Sequence, residues 1–293
     1  MNVSRRRVTV SSLAAWLEVP AANLRATAQA ADERYTRYLR AKAQGGRRLI
    51  SEPHDELKQL QKKLLRRVLQ GVLKEKRARR EGGITTDPLL NARHHQARRR
   101  VVALDLADAF PSTRAPQVVR ALELSGFSMR AARLVSKLCL DRGRLPQGAP
   151  TSNALLDLVL SDFDREIIRE CKRRGIRYTR YVDNLTLSGE DVPPAIERLV
   201  ERKLRVLGYE LNGNKRAAGG ADAPVEVTGV LTGSTLKVPP RTYSKARASV
   251  ERAVTSQDPK LIASARGSVQ WVKRVNRRQA AALRKAAGKT ATG

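Results

Sequence analysis

The chain has 293 residues, with 58 Lys and Arg against 28 Asp and Glu, a formal net charge of +30, and 41% hydrophobic residues. Such a balance repels itself unless an acidic partner offsets it, and a nucleic acid is the most economical one; the hydrophobic content and several distinct apolar stretches exclude a merely basic tail. No run approaches a membrane span and the N-terminal residues lack a signal-peptide core, so a cytoplasmic protein of two or three subdomains with no membrane partner is expected.

Along the chain, Leu13, Trp16, Leu17, Leu24 and Ala28 fall at helical spacing interrupted near Pro20, which predicts two short helices. Residues 38–53 predict a basic hairpin turning at Gly45-Gly46. Its Lys42 and Arg48 flank a flexible tip and are read either as a solvated edge or as a grip for triphosphate oxygens. A helix follows from Glu56 to Gln70, with Leu57, Leu60, Leu64, Val68 and Leu69 on one face.

Residues 76–100 are basic and turn-rich, and include Asn91-Ala92-Arg93-His94-His95. No Cys or carboxylate lies nearby at ligand spacing, so these His and Asn side chains are expected to bond phosphate, ribose or an unpaired base rather than metal. Cys139 and Cys171 lack metal-site spacing and are expected to be buried free thiols.

The apolar strand Val101-Val102-Ala103-Leu104 delivers a carboxylate at Asp105, and Phe110 follows five residues on. Helices are expected over 116–124 and 128–140. The loop from Gly143 to Ser152 then opens a helix from Asn153 to about Glu170. Its Ser and Thr are read as helix caps, or alternatively Gly148 and Ala149 leave room for a base pair while Gln147 reaches a nucleotide. Two β-rich runs, Ile176 to Arg180 and Leu185 to Ser188, flank Tyr181-Val182-Asp183-Asn184 and predict a hairpin with a carboxylate at its tip. Two strand-end carboxylates, Asp105 and Asp183, suit a pair of divalent ions clamping in-line nucleotidyl transfer.

A helix from Pro194 to Leu207 stopped by Gly208, a strand near Tyr209-Leu211, a hairpin pairing 225–231 with 235–238, and a basic helical region from Tyr243 complete the pattern. Trp271 and Val272 are expected in its core, and the residues from about Ala287 are expected to fray. Strand, helix, hairpin, helix and strand in this order make the β-α-β-β-α-β plan of a ferredoxin-like layer.

These residues resemble a reverse transcriptase, and within that superfamily a bacterial retron reverse transcriptase. The resemblance runs from about Tyr38 to Arg241. It rests on Leu104-Asp105 with Phe110, on Leu145 to Ser152, and on Tyr181 to Thr186, with support from Gly45 to Arg48 and from Asn212 with Lys215. Asn91-Ala92 with His95, and Val227-Thr228-Gly229, are similar to two retron signatures that would contact RNA.

The resemblance implies an α+β fold, the right-hand polymerase of fingers, ferredoxin-like palm and helical thumb. It assigns 1–34 to an N-terminal helical segment, 35–100 to fingers with a basic RNA-contacting loop, 101–241 to palm (with a fingers insertion at about 114–142), and 242–293 to thumb. It implies two Mg²⁺ ions, with Mn²⁺ as a substitute, on Asp105, Asp183 and the carbonyl of Leu106. Lys42, Arg48 and Gln147 would contact the incoming dNTP, Phe110 would exclude a ribose 2′-OH, and Lys215 would protonate pyrophosphate. The implied partners are a structured noncoding RNA, its branched RNA–DNA product primed from a guanosine 2′-OH, and a separate effector in phage defence.

Asn184 departs from the pattern, which has a second Asp there; Asn keeps an oxygen but removes a negative charge beside two dications. Asn153 and Ala109 are smaller departures, at places commonly held by Pro and an aromatic. Three readings stay open: a retron-type polymerase, an RNA-binding scaffold silenced at Asn184, and a reverse transcriptase of another defence lineage.

Overall fold

The structure is a computed structural model that describes residues 7–41, 45–78, 83–254, 256 and 258–290. The chain divides into two units, one of residues 1–82, 106–167 and 200–211, the other of 83–105, 168–199 and 212–293.

The first unit begins with α1 (Val10–Leu17) and α2 (Ala21–Gln29), the pair expected on either side of Pro20. The hairpin strands β1 (Tyr35–Ala41) and β2 (Arg47–Pro53) pair with Leu39 opposite Leu49 and Arg40 opposite Arg48. The expected 56–70 helix is longer: α3 (Asp55–Leu64) passes through a π-helical turn at Leu65–Leu69 into α4 (Gln70–Ala78). Leu57, Leu60 and Leu64 are buried as their spacing requires, and the buried Gln61 amide donates to Tyr35 Oη (2.9 Å) and the Leu138 carbonyl (2.8 Å).

In the second unit, α5 (Pro88–Arg93) lies where a turn-rich loop was expected. Asp87 accepts from the N–H groups of Leu89 (2.8 Å) and Leu90 (3.0 Å), and Pro88 sits where its missing N–H costs nothing. Strand β3 (Arg100–Ala107) runs from the second unit into the first.

There follow α6 (Ala109–Ser112), α7 (Ala115–Glu123), α8 (Met129–Cys139), α9 (Ser152–Val159) and α10 (Ser161–Lys172). The helix expected from Asn153 to Glu170 is thus interrupted at Leu160, whose ψ of 3° departs from helical geometry; Asp162 and Asp164 then enter the first turn of α10, where the helix dipole favours acids. Cys139 and Cys171 are buried free thiols, each pushed by burial to about 12 and so held as unreactive thiol.

Strands β4 (Arg177–Tyr181) and β5 (Asn184–Gly189), helix α11 (Pro194–Val206) and strand β6 (Glu210–Leu211) complete the β-α-β-β-α-β plan. The hydrogen-bonded order β4-β5-β3-β6 is the ferredoxin-like one. A strand that sequence reasoning missed, β7 (Ala217–Gly219), also pairs with β3. It is three small residues long, too short to carry an alternating pattern.

Residues 225–231 are not one strand. They fold into β8 (Val225–Val227) and β9 (Val230–Thr232), and β10 (Leu236–Lys237) pairs on the far side of β9. Thr228 (φ 49°) and Gly229 (φ 81°) form the two-residue turn, both in the left-handed region that suits the twist of a tight hairpin. Leu89, Ala92, Val101, Val225, Val227, Val230 and Leu236 make one core, with Trp271 and Val275 against it.

The C-terminal residues form α12 (Pro240–Val254), α13 (Pro259–Val275) and α14 (Arg277–Thr290) around Val238, Ala246, Val272, Ala280 and Leu283. Helix α14 runs past the expected fraying point at Ala287, in keeping with the high helix propensity of its Ala-rich sequence.

Candidate active site

The β4–β5 hairpin of the second unit carries the central carboxylate. Tyr181 pairs with Asn184, so the turn is Val182-Asp183 and Asn184 already belongs to the strand. Val182 has φ 57°, a conformation that a β-branched residue adopts only when its surroundings hold it. Across the sheet Asn184 is the register partner of Asp105. Directly opposite residues project from the same face of a sheet, so these two side chains stand side by side with Asp183 next in sequence.

Asp105 is 8% exposed. A 3-10 turn, Gly213–Lys215, brings Lys215 Nζ to 2.9 Å from Asp105 Oδ2, and Asn212 N–H donates to the Asp105 carbonyl at 2.8 Å. Asn184 Nδ2 donates to Asp183 Oδ1 at 2.9 Å. Both carboxylates therefore have a nitrogen donor on them, one cationic and one neutral. The side-chain oxygens of Asp105, Asp183 and Asn184 are hard donors of the kind that Mg²⁺ and Mn²⁺ take, so the donor set fits a divalent ion once Lys215 moves off Asp105 and the Asn184 amide turns. Among the described residues no cluster of three His, Cys, Asp or Glu side chains suits a metal.

Leu106, Arg48, Phe110 and Gln147 belong to the first unit. Leu106 follows Asp105 in β3 and pairs with Leu211. Arg48 is exposed on β2. Lys42 lies outside the described residues. Phe110 is half-buried in α6, and Thr113 Oγ1 just beyond it donates to the Ala109 carbonyl (2.8 Å) and shares a hydrogen bond with Tyr209 Oη (2.7 Å), which anchors that turn.

The carbonyl of Gln147 accepts from Ser51 N–H at 2.9 Å, docking the loop onto β2. Gly148, expected to leave space for a base pair, has φ 125°, and a Cβ there would lie 3.1 Å from the Ser51 carbonyl. Its conformation and its fit against β2 require glycine. Ser152 Oγ donates to the Pro146 carbonyl (2.7 Å), so this hydroxyl braces the loop rather than capping α9.

The expectation for Asn91 and His95 needs correction. Asn91, Ala92 and His95 are each 0% exposed. His95 bridges the paired strands β4 and β5, with Nδ1 2.7 Å from Ser188 Oγ and Nε2 2.7 Å from Thr179 Oγ1. Hydroxyls both donate and accept, so they satisfy either neutral tautomer. Burial, with help from neighbouring His94 and then Arg177 and Arg98, drops this imidazole to about 3. Thr85 Oγ1 donates to Asn91 Oδ1 at 3.1 Å. These side chains tie α5 and the segment before it to the hairpin instead of meeting nucleic acid. Val227 is buried too, while Thr228 and Gly229 are half-buried and Thr228 Oγ1 donates to the Pro88 carbonyl at 2.7 Å.

Sequence reasoning also missed Arg180, which is 0% exposed in β4. An Arg beside the acidic tip in a basic chain reads as another surface cation, and only its odd place in a short strand with Tyr178 and Thr179 hinted otherwise.

The fold is that of a reverse transcriptase. It is similar to telomerase from Candida albicans in complex with a TWJ fragment of telomeric RNA, with a TM-score of 0.52 and 12% identity over 86% of this chain and 56% of that one. Apo telomerase from Candida tropicalis is similar at a TM-score of 0.53 and 11% identity, over 88% of this chain and 61% of that one. At such identities the likeness concerns the fold alone.

In sequence, residues 40–231 match the family described as "Reverse transcriptase (RNA-dependent DNA polymerase)", and the chain belongs to that family. Within it the chain is 31% identical to the Retron Mx65 reverse transcriptase of Myxococcus xanthus, over 85% of this chain and 63% of the relative. It is also 31% identical to the Retron Ec86 reverse transcriptase of Escherichia coli, over 71% of this chain and 66% of the relative. The match thus spans a little under two thirds of the length of these retron relatives.

Proposed function

We propose that the chain is an RNA-directed DNA polymerase of the retron type. The observation that carries this is the register of β3 against β5, which sets Asp105 beside Asn184 with Asp183 at the adjoining turn. In this reading residues 35–100 serve as fingers, 101–241 as palm and 242–293 as thumb, after the helical segment 1–34.

Asp105 and Asp183, with the carbonyl of Leu106, would hold two Mg²⁺ ions, or Mn²⁺ in their place. Bound there, the ions would activate the attacking hydroxyl and offset charge on the leaving pyrophosphate. Lys215 leaves Asp105 when that carboxylate turns to other work, and its Nζ then holds the proton that pyrophosphate takes. Arg48, Lys42 and Gln147 bind the incoming dNTP, and Phe110 crowds the position of a ribose 2′-OH. Asn91, Ala92, His95 and Val227 act on RNA from within, holding the surface formed by exposed Arg93 and the Thr228-Gly229 turn.

The finer reading is that the template is a structured noncoding RNA made beside the gene, that an internal guanosine 2′-OH primes synthesis, and that the branched RNA–DNA product serves phage defence with a separate effector in the cytoplasm. Expression with the neighbouring genomic sequence tests it. The copurified nucleic acid should include a branched species sensitive to both RNase and DNase. Linear RNA alone, from a protein that still extends a generic primer, would reject branched priming and leave the polymerase.

A second reading, a silent RNA-binding scaffold, is favoured by one observation: the residue at 184 presents an amide donor to Asp183 where a second carboxylate would present only acceptors. Absence of primer extension at every Mg²⁺ and Mn²⁺ concentration, with RNA binding retained, would establish it.

A further inference from the structure

We propose that Arg180 is a positioning residue for the nucleotidyl-transfer site, its guanidinium holding the left-handed turn that presents Asp183. The inference rests on the polymerase reading for its catalytic consequence, but its structural core stands on the hairpin alone.

Arg180 is among the largest fully buried side chains of the molecule. Taking a guanidinium out of water is costly unless strong hydrogen bonds compensate it. Its Nη1 donates to the Val182 carbonyl at 2.7 Å, a short, charge-assisted bond. That carbonyl belongs to the peptide group joining Val182 to Asp183. Fixing the plane of that peptide limits both ψ of Val182 and φ of Asp183, and so sets the direction in which the Asp183 carboxylate leaves the chain.

The same turn needs outside help. Val182 sits at φ 57°, the left-handed region where its Cβ crowds the backbone carbonyl and its β-branching makes the conformation rarer still. Without a restraint, this turn would relax toward a right-handed or extended form and swing Asp183 away from Asn184 and Asp105.

The base of the restraint is itself fixed. Arg180 N–H donates to the Gly83 carbonyl at 2.7 Å and its carbonyl accepts from Thr85 N–H at 3.2 Å, while Leu185 pairs with it on the other side. Gly83 lies so close that a Cβ would come within 2.6 Å of Ile168 Cδ1. Neighbouring Thr179 is bonded to His95. A buried, hydrogen-bonded strand therefore carries a cation whose Nη1 reaches the Val182 carbonyl, two residues further on.

The test compares the parent protein, Arg180→Met and Arg180→Lys. Met fills much of the volume but cannot donate; Lys keeps the charge but loses the planar fork. Hydrogen exchange is read on peptides covering 181–185 and, as a control, 100–105. Mn²⁺ affinity is read by electron paramagnetic resonance, and primer extension is measured in an Asn184→Asp background. For Arg180→Met, exchange in the turn should rise about tenfold with the control segment unchanged, and Mn²⁺ binding should weaken about tenfold. In extension, kcat should fall about a hundredfold while KM for dNTP changes less than about threefold, with Lys recovering part of each loss.

Unchanged turn exchange in both variants overturns the proposal, whatever happens to melting temperature. A uniform rise in exchange through both segments overturns it as well, because Arg180 would then act on stability in general. If the parent and Asn184→Asp both fail to extend primers, the polymerase reading fails, while turn exchange still decides the role of Arg180.

Discussion

Asn184 stands opposite Asp105 and donates its amide to Asp183, so its chemistry bears on both carboxylates at once. Two dications a few ångströms apart repel each other, and nearby negative charge offsets that repulsion. Asn184→Asp is therefore expected to raise the rate of DNA synthesis and lower the Mg²⁺ concentration needed. Asp105→Asn or Asp183→Asn should abolish synthesis with RNA binding intact. Primer extension across a Mg²⁺ series reads all four proteins; a fast parent that gains nothing from the change removes position 184 from metal binding. Phe110, half-buried in α6, is proposed to crowd a ribose 2′-OH, and truncation to Ala would remove that ring while leaving Asp105 and Asp183 unchanged. Incorporation of ribonucleotides by Phe110→Ala should approach that of deoxynucleotides in single-nucleotide assays, and unchanged discrimination would make Phe110 a packing residue.

At the scale of elements, the β4–β5 hairpin is held by a buried polar layer. His95 joins both strands, and its imidazole is neutral down to a pH of about 3, well below the ordinary value of 6.5. A His that titrates lower when folded binds its proton only in the unfolded chain through that interval, so its contribution to stability is complete above about 6.5 and declines as pH falls toward 3. Urea midpoints at pH 7, 6, 5 and 4 should fall more steeply for the parent than for His95→Gln, which carries no titrating group. Carboxylates held low, such as Asp87 by the Leu90 N–H and by Arg274, act in both proteins and cancel in the comparison. Parallel pH curves would mean that the unfolded chain keeps His95 from protonating, and would separate its burial from acid sensitivity.

For the whole molecule the governing quantity is the charge of +30. That figure already counts every acid, so surface ion pairs such as Arg34–Glu56 and Arg205–Glu201 leave it unchanged, and screened pairs of that kind add little stability. Bound RNA would release counterions as its phosphates are neutralised, so affinity should fall steeply and linearly on a log–log plot against salt. Filter binding or fluorescence anisotropy from about 50 to 200 mM salt should show a loss of about a thousandfold or more if six or more phosphates are contacted. A flat salt dependence would assign the charge to something other than nucleic acid.

Much of this protein was legible before any contact was known. Helix faces such as Leu57-Leu60-Leu64, the strand leading to Asp105, and the hairpin at Asp183 follow from periodicity and turn chemistry, which act over a few residues. The motif residues were equally visible, because carboxylates at the ends of apolar strands stand out from the runs that carry them. Long-range register was different in kind: only β3 against β5 decides that Asn184 faces Asp105, and only packing decides that Asn91, His95 and Arg180 lie inside. A polar side chain written in sequence does not reveal whether its hydrogen bonds go to water or to a strand far along the chain. Residues 225–231 failed for a related reason, since a continuous β-rich run hides a turn that Thr228 and Gly229 make at positive φ. Local chemistry thus named the candidate groups, and tertiary contacts decided which of them reach solvent and which hold the others in place.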